Sequence, residues 1–250
     1  MNELVSIIMP CHNGAKYIKE AINSVISQTY QNWELLVVDD NSVDDSSNII
    51  ESFVKMDSRI QLYKNLNCTG LPASPRNLGI QNAHGRYIAF LDCDDKWFPT
   101  KLEQQVVLFD DKKCAIVFSY YKKMDENGVV SKSIVKSPSI VSYNKLLNGD
   151  CIGNLTGVYD TEKVGKILQK EIHAEDYLMW LEILKKGFLA LNTNTVEAIY
   201  RVSANSISGN KLKSAIWNWN IYKNELHLHL ITAMYHFLLY IIKGVFKFLK

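Results

Sequence analysis

The first hundred residues of this chain alternate between two hydrophobic periods, and few folds accept that alternation. "LVSIIMP" (residues 4–10) is a short, nearly continuous apolar run closed by proline, the pattern of a parallel strand buried on both faces. After "CHNGA" the period lengthens: Tyr17, Ile18, Ala21, Ile22, Val25 and Ile26 recur at helical spacing. "WELLVVDD" predicts a second buried strand. "NSVDDSSNIIESFVKM" opens with capping residues and continues as a helix. "IQLYKN" and "RYIAFL" predict two more strands, with the helix "RNLGIQNA" between them. Strand and helix in this order predict an α/β fold around a mostly parallel sheet flanked by helices.

The second half is mixed. "PTKLEQQVVLF" predicts a helix with Thr100 and Glu103 spaced as a capping box. "CAIVFSYY" and "VVSKSIV", separated by "KMDENG", predict an antiparallel hairpin. "HAEDYLMWLEILKKG" predicts a helix with Leu178, Leu181 and Leu184 on one face and Gly187 as its stop. The last segment, "LHLHLITAMYHFLLYIIKGVFKFLK", is dense in apolar residues. Its longest charge-free run falls short of the roughly 20 residues a spanning helix needs. Lys243, Lys247 and Lys250 make one basic stripe beside an apolar face, the pattern of a helix lying in a membrane surface. A helix packed on the core or in a homodimer is the alternative.

Net charge is +2, so no nucleic-acid partner is expected. Five scattered cysteines lack metal-ligand or redox spacing, which predicts reduced thiols. The N-terminus lacks a basic region followed by a long apolar core, so a cytoplasmic protein, peripheral on the inner face of the plasma membrane, is expected.

In open α/β sheets ligands bind beyond the carboxyl ends of the strands. Three polar clusters fall there: "PCHN" after the first strand, "DDNS" after the second and "DCDD" after the fourth. Asp92, Asp94 and Asp95 in such proximity repel one another and any phosphate unless a cation joins them. Mg²⁺ favours one or two carboxylates plus substrate phosphates. A solvated turn is the competing reading, and Asp95 suits it best. For Asp39 and Asp40, capping a turn is as good an explanation as binding.

"VSIIMPCHNGAKYIKEAINSVISQTYQNWELLVVDDNSVD", followed by "PRNLGI", "GRYIAFLDCDD" and "AEDYLMWL", strongly resembles the family-2 inverting, nucleotide-sugar-dependent glycosyltransferases with the GT-A fold. The resemblance runs over roughly residues 3 to 205. It implies a nucleotide-sugar-binding half (1–98) and an acceptor-binding half with the catalytic base (99–210), to which the amphipathic pattern of the last segment adds a helical membrane-associating tail (211–250). Pro10, His12 and Asn13 would line the base and ribose, although relatives often have Tyr or Phe where His12 stands. Asp40 would bond the uracil edge, and Arg76 would face the base or the diphosphate. Asp92 would reach the ribose or a metal-bound water. Asp94 would ligate Mn²⁺ or Mg²⁺, Asp176 would be the base, and Glu175 and Trp180 would shape the acceptor site. Where relatives often have "YRxH", this chain has "YRVS" (residues 200–203), which leaves a His contact there unfilled.

The implied partners are a UDP-sugar donor and a lipid-linked glycan acceptor, with a β-glycoside as product. One carboxylate suffices as general base for a single inverting displacement, whereas a retaining route needs a second as nucleophile. Two alternatives stand beside this reading. A nucleotidyltransferase would need a Gly-rich, basic phosphate loop, of which "PCHNGAK" offers little. A non-catalytic nucleotide-sugar-binding scaffold fits an intact Asp94 and Asp176 poorly.

Overall fold

A computed structural model describes residues 3–202 and 211–246. The first half runs β1 (Val5–Cys11), α1 (Ile18–Ile26), β2 (Trp33–Asp39), α2 (Ser46–Met56), β3 (Ile60–Lys64), α3 (Ala73–Asn82) and β4 (Tyr87–Phe90). β1, β2, β3 and β4 pair in parallel, in the order β3-β2-β1-β4. Every residue of β2 and β4 is buried, as their continuous apolar runs require. Because β2 and β4 lie on opposite sides of β1, the strand order reverses at β1, and a crevice opens at the β1/β4 carboxyl ends.

The second half runs β5 (Lys96–Trp97), α4 (Lys101–Val106), β6 (Cys114–Met124), β7 (Val130–Val135), β8 (Ile140–Val141), α5 (Tyr143–Leu146), β9 (Val158–Asp160), α6 (Thr161–Val164), α7 (Glu175–Lys185) and β10 (Leu189–Arg201). The sheet continues β4-β9-β6-β10-β5. β9 is antiparallel to both β4 and β6, the β6–β7 hairpin forms as expected, and β10 runs parallel to β6. β5 follows β4 within a few residues yet pairs antiparallel with β10 at the far edge.

Two apolar cores cover the two faces of the sheet, and each draws on both halves of the chain. α3 lies close on β1 because residue 79 is glycine. A Cβ there would stand 2.6 Å from Ile8 Cγ2 and 3.4 Å from Val38 Cγ2. The capping box expected at Thr100 is not made. Thr100 Oγ1 donates instead to Glu197 Oε2 at 2.9 Å, and Glu103 accepts from Thr29 Oγ1 at 2.7 Å, so tertiary partners took both side chains. Gly187, at φ 94°, ends the turn after α7 as its position predicted.

The tail forms α8 (Lys211–Asn220), a wider π-helical turn (Ile221–Glu225) and α9 (Leu230–Phe246). Ile221, Tyr222, Leu226 and Ala233 are buried on the core beside α7. On α9, Ile231, Met234, Tyr235, Leu238, Ile241 and Ile242 remain exposed, Ile231 at 72%. Among the described residues no helix is long and apolar enough to cross a membrane. Lys243 belongs to α9, whereas Lys247, Lys250 and Ser203 lie outside the described residues.

Candidate active site

The three polar clusters come together. Pro10, Cys11 and His12 at the end of β1, Asp40 and Asn41 beyond β2, and Asp92, Cys93 and Asp94 beyond β4 line one cleft of ≈ 570 Å³. Pro72, Pro75 and Arg76 of the α3 entry close its other wall. That volume lies within the range of small-molecule sites, and the lining is chiefly apolar with a few convergent polar groups.

Asp39 and Asp40 divide the turn and cleft roles that their spacing left open. Asp39 accepts from Ser42 N at 3.2 Å and Ser47 Oγ at 2.5 Å, so it braces the turn. Asp40 faces the cleft, with one carboxylate oxygen fixed by Asn65 Nδ2 at 2.6 Å. His12 Nδ1 lies 2.7 Å from the Asp40 carbonyl oxygen, which ties the first cluster to the second. Asn13 does not line the cleft. At φ 51° it turns away, accepts from Val43 N at 2.9 Å through Oδ1, and sets Nδ2 3.1 Å from His12 Nε2. Asn13 is therefore a brace for His12 and the 41–43 turn, and the short Asn side chain suits its left-handed backbone.

The acids after β4 also take unequal positions. Asp95 turns inward: its NH donates to the Asp92 carbonyl at 3.0 Å, and its carboxylate accepts from Arg201 N at 2.8 Å. Arg201, buried at the end of β10, also donates Nε to the Asp94 carbonyl at 2.9 Å and NH2 to Glu20 at 3.2 Å. It pins the acidic turn from beneath. In the sequence, its place in "YRVS" gave no sign of that work. Asp94 faces the cleft, and burial followed by the charge of Asp92 pushes its carboxyl up to about 6. A carboxylate so disfavoured is a place for a cation.

Arg76 joins the two sides of the site. Its guanidinium is buried and donates to Asp92 at 2.7 Å and to Glu175 at 2.5 Å, while Nε has no hydrogen-bond partner. Burial opposes its charge, but Asp92 and then Glu175 more than offset that and raise its pKa further. Glu175 is therefore not an open acceptor contact. It is buried and occupied with Arg76.

Trp180 is also displaced from its expected role. It is fully buried, packed edge-on against Phe90 and Tyr159 at centroid distances of 6.0 and 6.4 Å. The inner face of α7 needs a large apolar side chain to cover the sheet, and Trp180 fills that space. Asp176 is half-buried and stands outside the cleft lining, near enough for the charges of Arg76 and Asp92 to act on it. Burial raises its pKa, with Arg76 opposing. The residue before Glu175, Ala174, has φ 60° and ψ 41°, a left-handed backbone that costs a side-chain-bearing residue about 1–2 kcal/mol. No motif revealed that strain.

Cys11 and Cys93 are far apart in sequence, yet both line the cleft and their sulfurs flank Gly14. A Cβ on Gly14 would meet both sulfurs, at 2.9 and 2.7 Å.

The family model described as Glycosyl transferase family 2 matches residues 6–160. The chain belongs to that family. This family 2 glycosyltransferase is 37% identical over 245 residues to TuaG of Bacillus subtilis (strain 168), named for teichuronic acid biosynthesis; the match covers 98% of this chain and 97% of TuaG. It is 39% identical over 249 residues to WfaP of Escherichia coli, covering 98% and 97% of the two chains. WfaP is named as a UDP-Glc:α-D-GlcNAc-diphosphoundecaprenol β-1,3-glucosyltransferase. Among solved structures it resembles the mannosyltransferase PcManGT of Pyrobaculum calidifontis in complex with GDP-Man and Mn²⁺, with TM-score 0.70 and 17% identity. That match covers 90% of this chain and 64% of PcManGT, so the chain spans about two thirds of the solved one. The likeness is one of fold, and it agrees with the expected GT-A architecture.

Proposed function

We propose that the protein transfers a sugar from a UDP-sugar to a hydroxyl of a polyprenyl-diphosphate-linked glycan, inverting the anomeric centre to give a β-glycoside in bacterial surface-polysaccharide synthesis. The observation that carries this reading is the convergence of Asp40, Asp92 and Asp94 on one cleft, joined through Arg76 to the helix that bears Asp176. The names of WfaP and TuaG support the donor, the lipid diphosphate and the polymer class.

In this reading residues 1–98 serve the nucleotide sugar, 99–210 the acceptor and 211–250 the membrane. Pro10 and His12 flank the base, and Asp40 takes the uracil edge. The unpartnered Nε of buried Arg76 suits an anionic ligand at the cleft wall. Asp92, already bound to Arg76, reaches the ribose.

The donor set at the acidic turn fits Mn²⁺ or Mg²⁺. Among the described residues no group of three or more His, Cys, Asp or Glu makes a protein cage, whereas Asp94 offers one disfavoured carboxylate beside a cleft sized for a diphosphate. A divalent cation at Asp94 would neutralise charge on the departing diphosphate. Asp176 takes the acceptor hydroxyl's proton as that oxygen attacks the face opposite the leaving group. Arg76 and Glu175 hold the start of α7 at a fixed distance from the donor.

The exposed apolar face of α9, with Lys243 in its last turn, fits the surface of an anionic bilayer, on the cytoplasmic face where the lipid-linked acceptor would be met. The deciding experiment replaces Asp176 with Asn and measures transfer and UDP binding separately, using a lipid-diphosphate-sugar acceptor. Transfer should fall at least 10³-fold with UDP binding retained. Unchanged transfer would remove Asp176 from the mechanism.

A further inference from the structure

The strained turn that presents Asp176 is held from the main body and from the tail together. The main body contributes Asn77, which exchanges two hydrogen bonds with the Gln169 backbone, at 2.8 and 2.7 Å. Arg76 holds Glu175 at 2.5 Å and the Tyr177 hydroxyl donates to the Leu146 carbonyl at 3.0 Å, while further clasps come from residues 217–225. Lys170 pairs with Glu225 at 2.7 Å. The His173 ring stacks on Trp217 of α8, with centroids 4.3 Å apart and planes at 23°. Directly after Asp176, the Tyr177 hydroxyl lies 3.3 Å from that of Tyr222, which in turn donates to the Leu147 carbonyl at 2.6 Å. The tail thus grips the chain on both sides of Ala174 and Asp176. A left-handed alanine persists where surrounding contacts over-determine it, and such strain clusters at functional sites.

We propose that Trp217 and Tyr222 are positioning residues for Asp176, so that the first part of the tail belongs to the acceptor-side machinery as well as leading to the membrane helix. This rests on the reading of Asp176 as the base. Without the Trp217 indole, His173 loses its stacking partner, and the left-handed turn at Ala174 loses a brace on the side away from Arg76. The Asp176 carboxylate then loses its fixed direction. The donor cleft lies at the strand ends, and among the described residues no tail residue lines it.

The test separates positioning from membrane delivery by using a short-chain lipid-diphosphate GlcNAc dissolved in detergent, with UDP-glucose as donor. Trp217→Ala in the full chain should lower kcat at least tenfold while KM for UDP-glucose and the Kd for UDP stay within twofold. Trp217→Phe, which keeps a stacking ring, should recover most of the loss. Tyr222→Phe removes a single hydroxyl and keeps the ring that fills the core; it should lower kcat about three- to tenfold with a melting temperature only a few degrees lower, from the lost bond to the Leu147 carbonyl. The proposal is overturned if Trp217→Ala and Tyr222→Phe leave kcat unchanged, or if kcat and UDP binding fall together. An inert Asp176→Asn alongside fully active tail variants would remove this proposal alone. An active Asp176→Asn would remove the base assignment beneath it.

Discussion

Asp92, beyond β4, and Glu175, at the start of α7, are gripped by the same guanidinium, 2.7 and 2.5 Å from Arg76. One buried cation thus sets the spacing between the acidic turn after β4 and the start of α7. Arg76→Met would leave two carboxylates without their counter-charge, and breaking buried pairs of this kind costs about 3–5 kcal/mol. Thermal unfolding should show that loss. Arg76→Lys should fold better but transfer about a hundredfold more slowly, because an ammonium cannot bond both acids as a fork does.

Transfer and stability should respond to pH in opposite directions. Burial, then the charge of Asp176, lifts Glu175 from 4.5 to about 7 against the pull of Arg76, and burial also lifts Asp176. A base must be unprotonated, so kcat should rise with pH as Asp176, lifted above the ordinary carboxylate range by burial, gives up its proton, and then level off. For stability the sign reverses. A carboxyl raised in the fold favours folding when protonated, a contribution complete below the unfolded value and lost as pH rises through about 7. Melting temperature measured between pH 5 and 8 should therefore fall as kcat climbs. Glu175→Gln should flatten that slope; an unchanged slope would place its origin elsewhere.

Asp94→Asn keeps the shape of the acidic turn and removes the one disfavoured carboxylate that faces the cleft. Mn²⁺ should tighten UDP binding to the native protein at least tenfold, with chelator reversing the effect. The variant should show little of that gain. UDP binding by the native protein that ignores chelator would rule out a metal role for Asp94.

Gly79→Ala forces a methyl against Ile8 at the α3–β1 contact. Overpacking at a rigid helix–sheet contact costs about 1–3 kcal/mol. Because α3 also carries Arg76, the melting temperature should drop and KM for the donor should rise several-fold together. A fall in stability with donor KM unchanged would mean that Arg76 holds its place without α3.

Glutamates introduced at Met234 and Leu238 put charge in the middle of the α9 apolar face. Sedimentation with vesicles containing anionic lipid should fall at least tenfold, while activity toward a detergent-soluble acceptor persists. If the native protein is instead a dimer in analytical ultracentrifugation, and the glutamates yield monomers without changing vesicle binding, the face is a subunit contact.

The parallel block was legible in the sequence because β1, β2 and β4 are buried almost throughout and so read as nearly continuous apolar runs, with the half-buried β3 at its edge. The clusters at the strand ends followed from the same logic, since a chain leaving a buried strand must meet its ligand there. What the sequence hid was partner choice. Thr100 and Glu103 have the spacing of a capping box, but Glu197 and Thr29, distant in the chain, outcompeted the local bonds. Trp180 and Glu175 share a helix with Asp176, and only the packing of that helix shows that one fills the core and the other neutralises Arg76. The left-handed Ala174 and the meeting of Cys11 and Cys93 around Gly14 have no local signal, because both arise from pieces of chain that meet only in the folded state.

The short strand β5 has a consequence for anyone wishing to divide this protein. It leaves the donor block immediately after the acidic turn, yet hydrogen-bonds to β10 at the opposite margin, where Arg201 holds that turn. A cut after residue 98 would strand β5 on one fragment and its partner on the other, and the acids would lose their lower support. The stretches of chain before and after residue 98 are thus stitched rather than hinged. Swapping one for a relative's should fail unless the recipient's β10 travels with the donor piece.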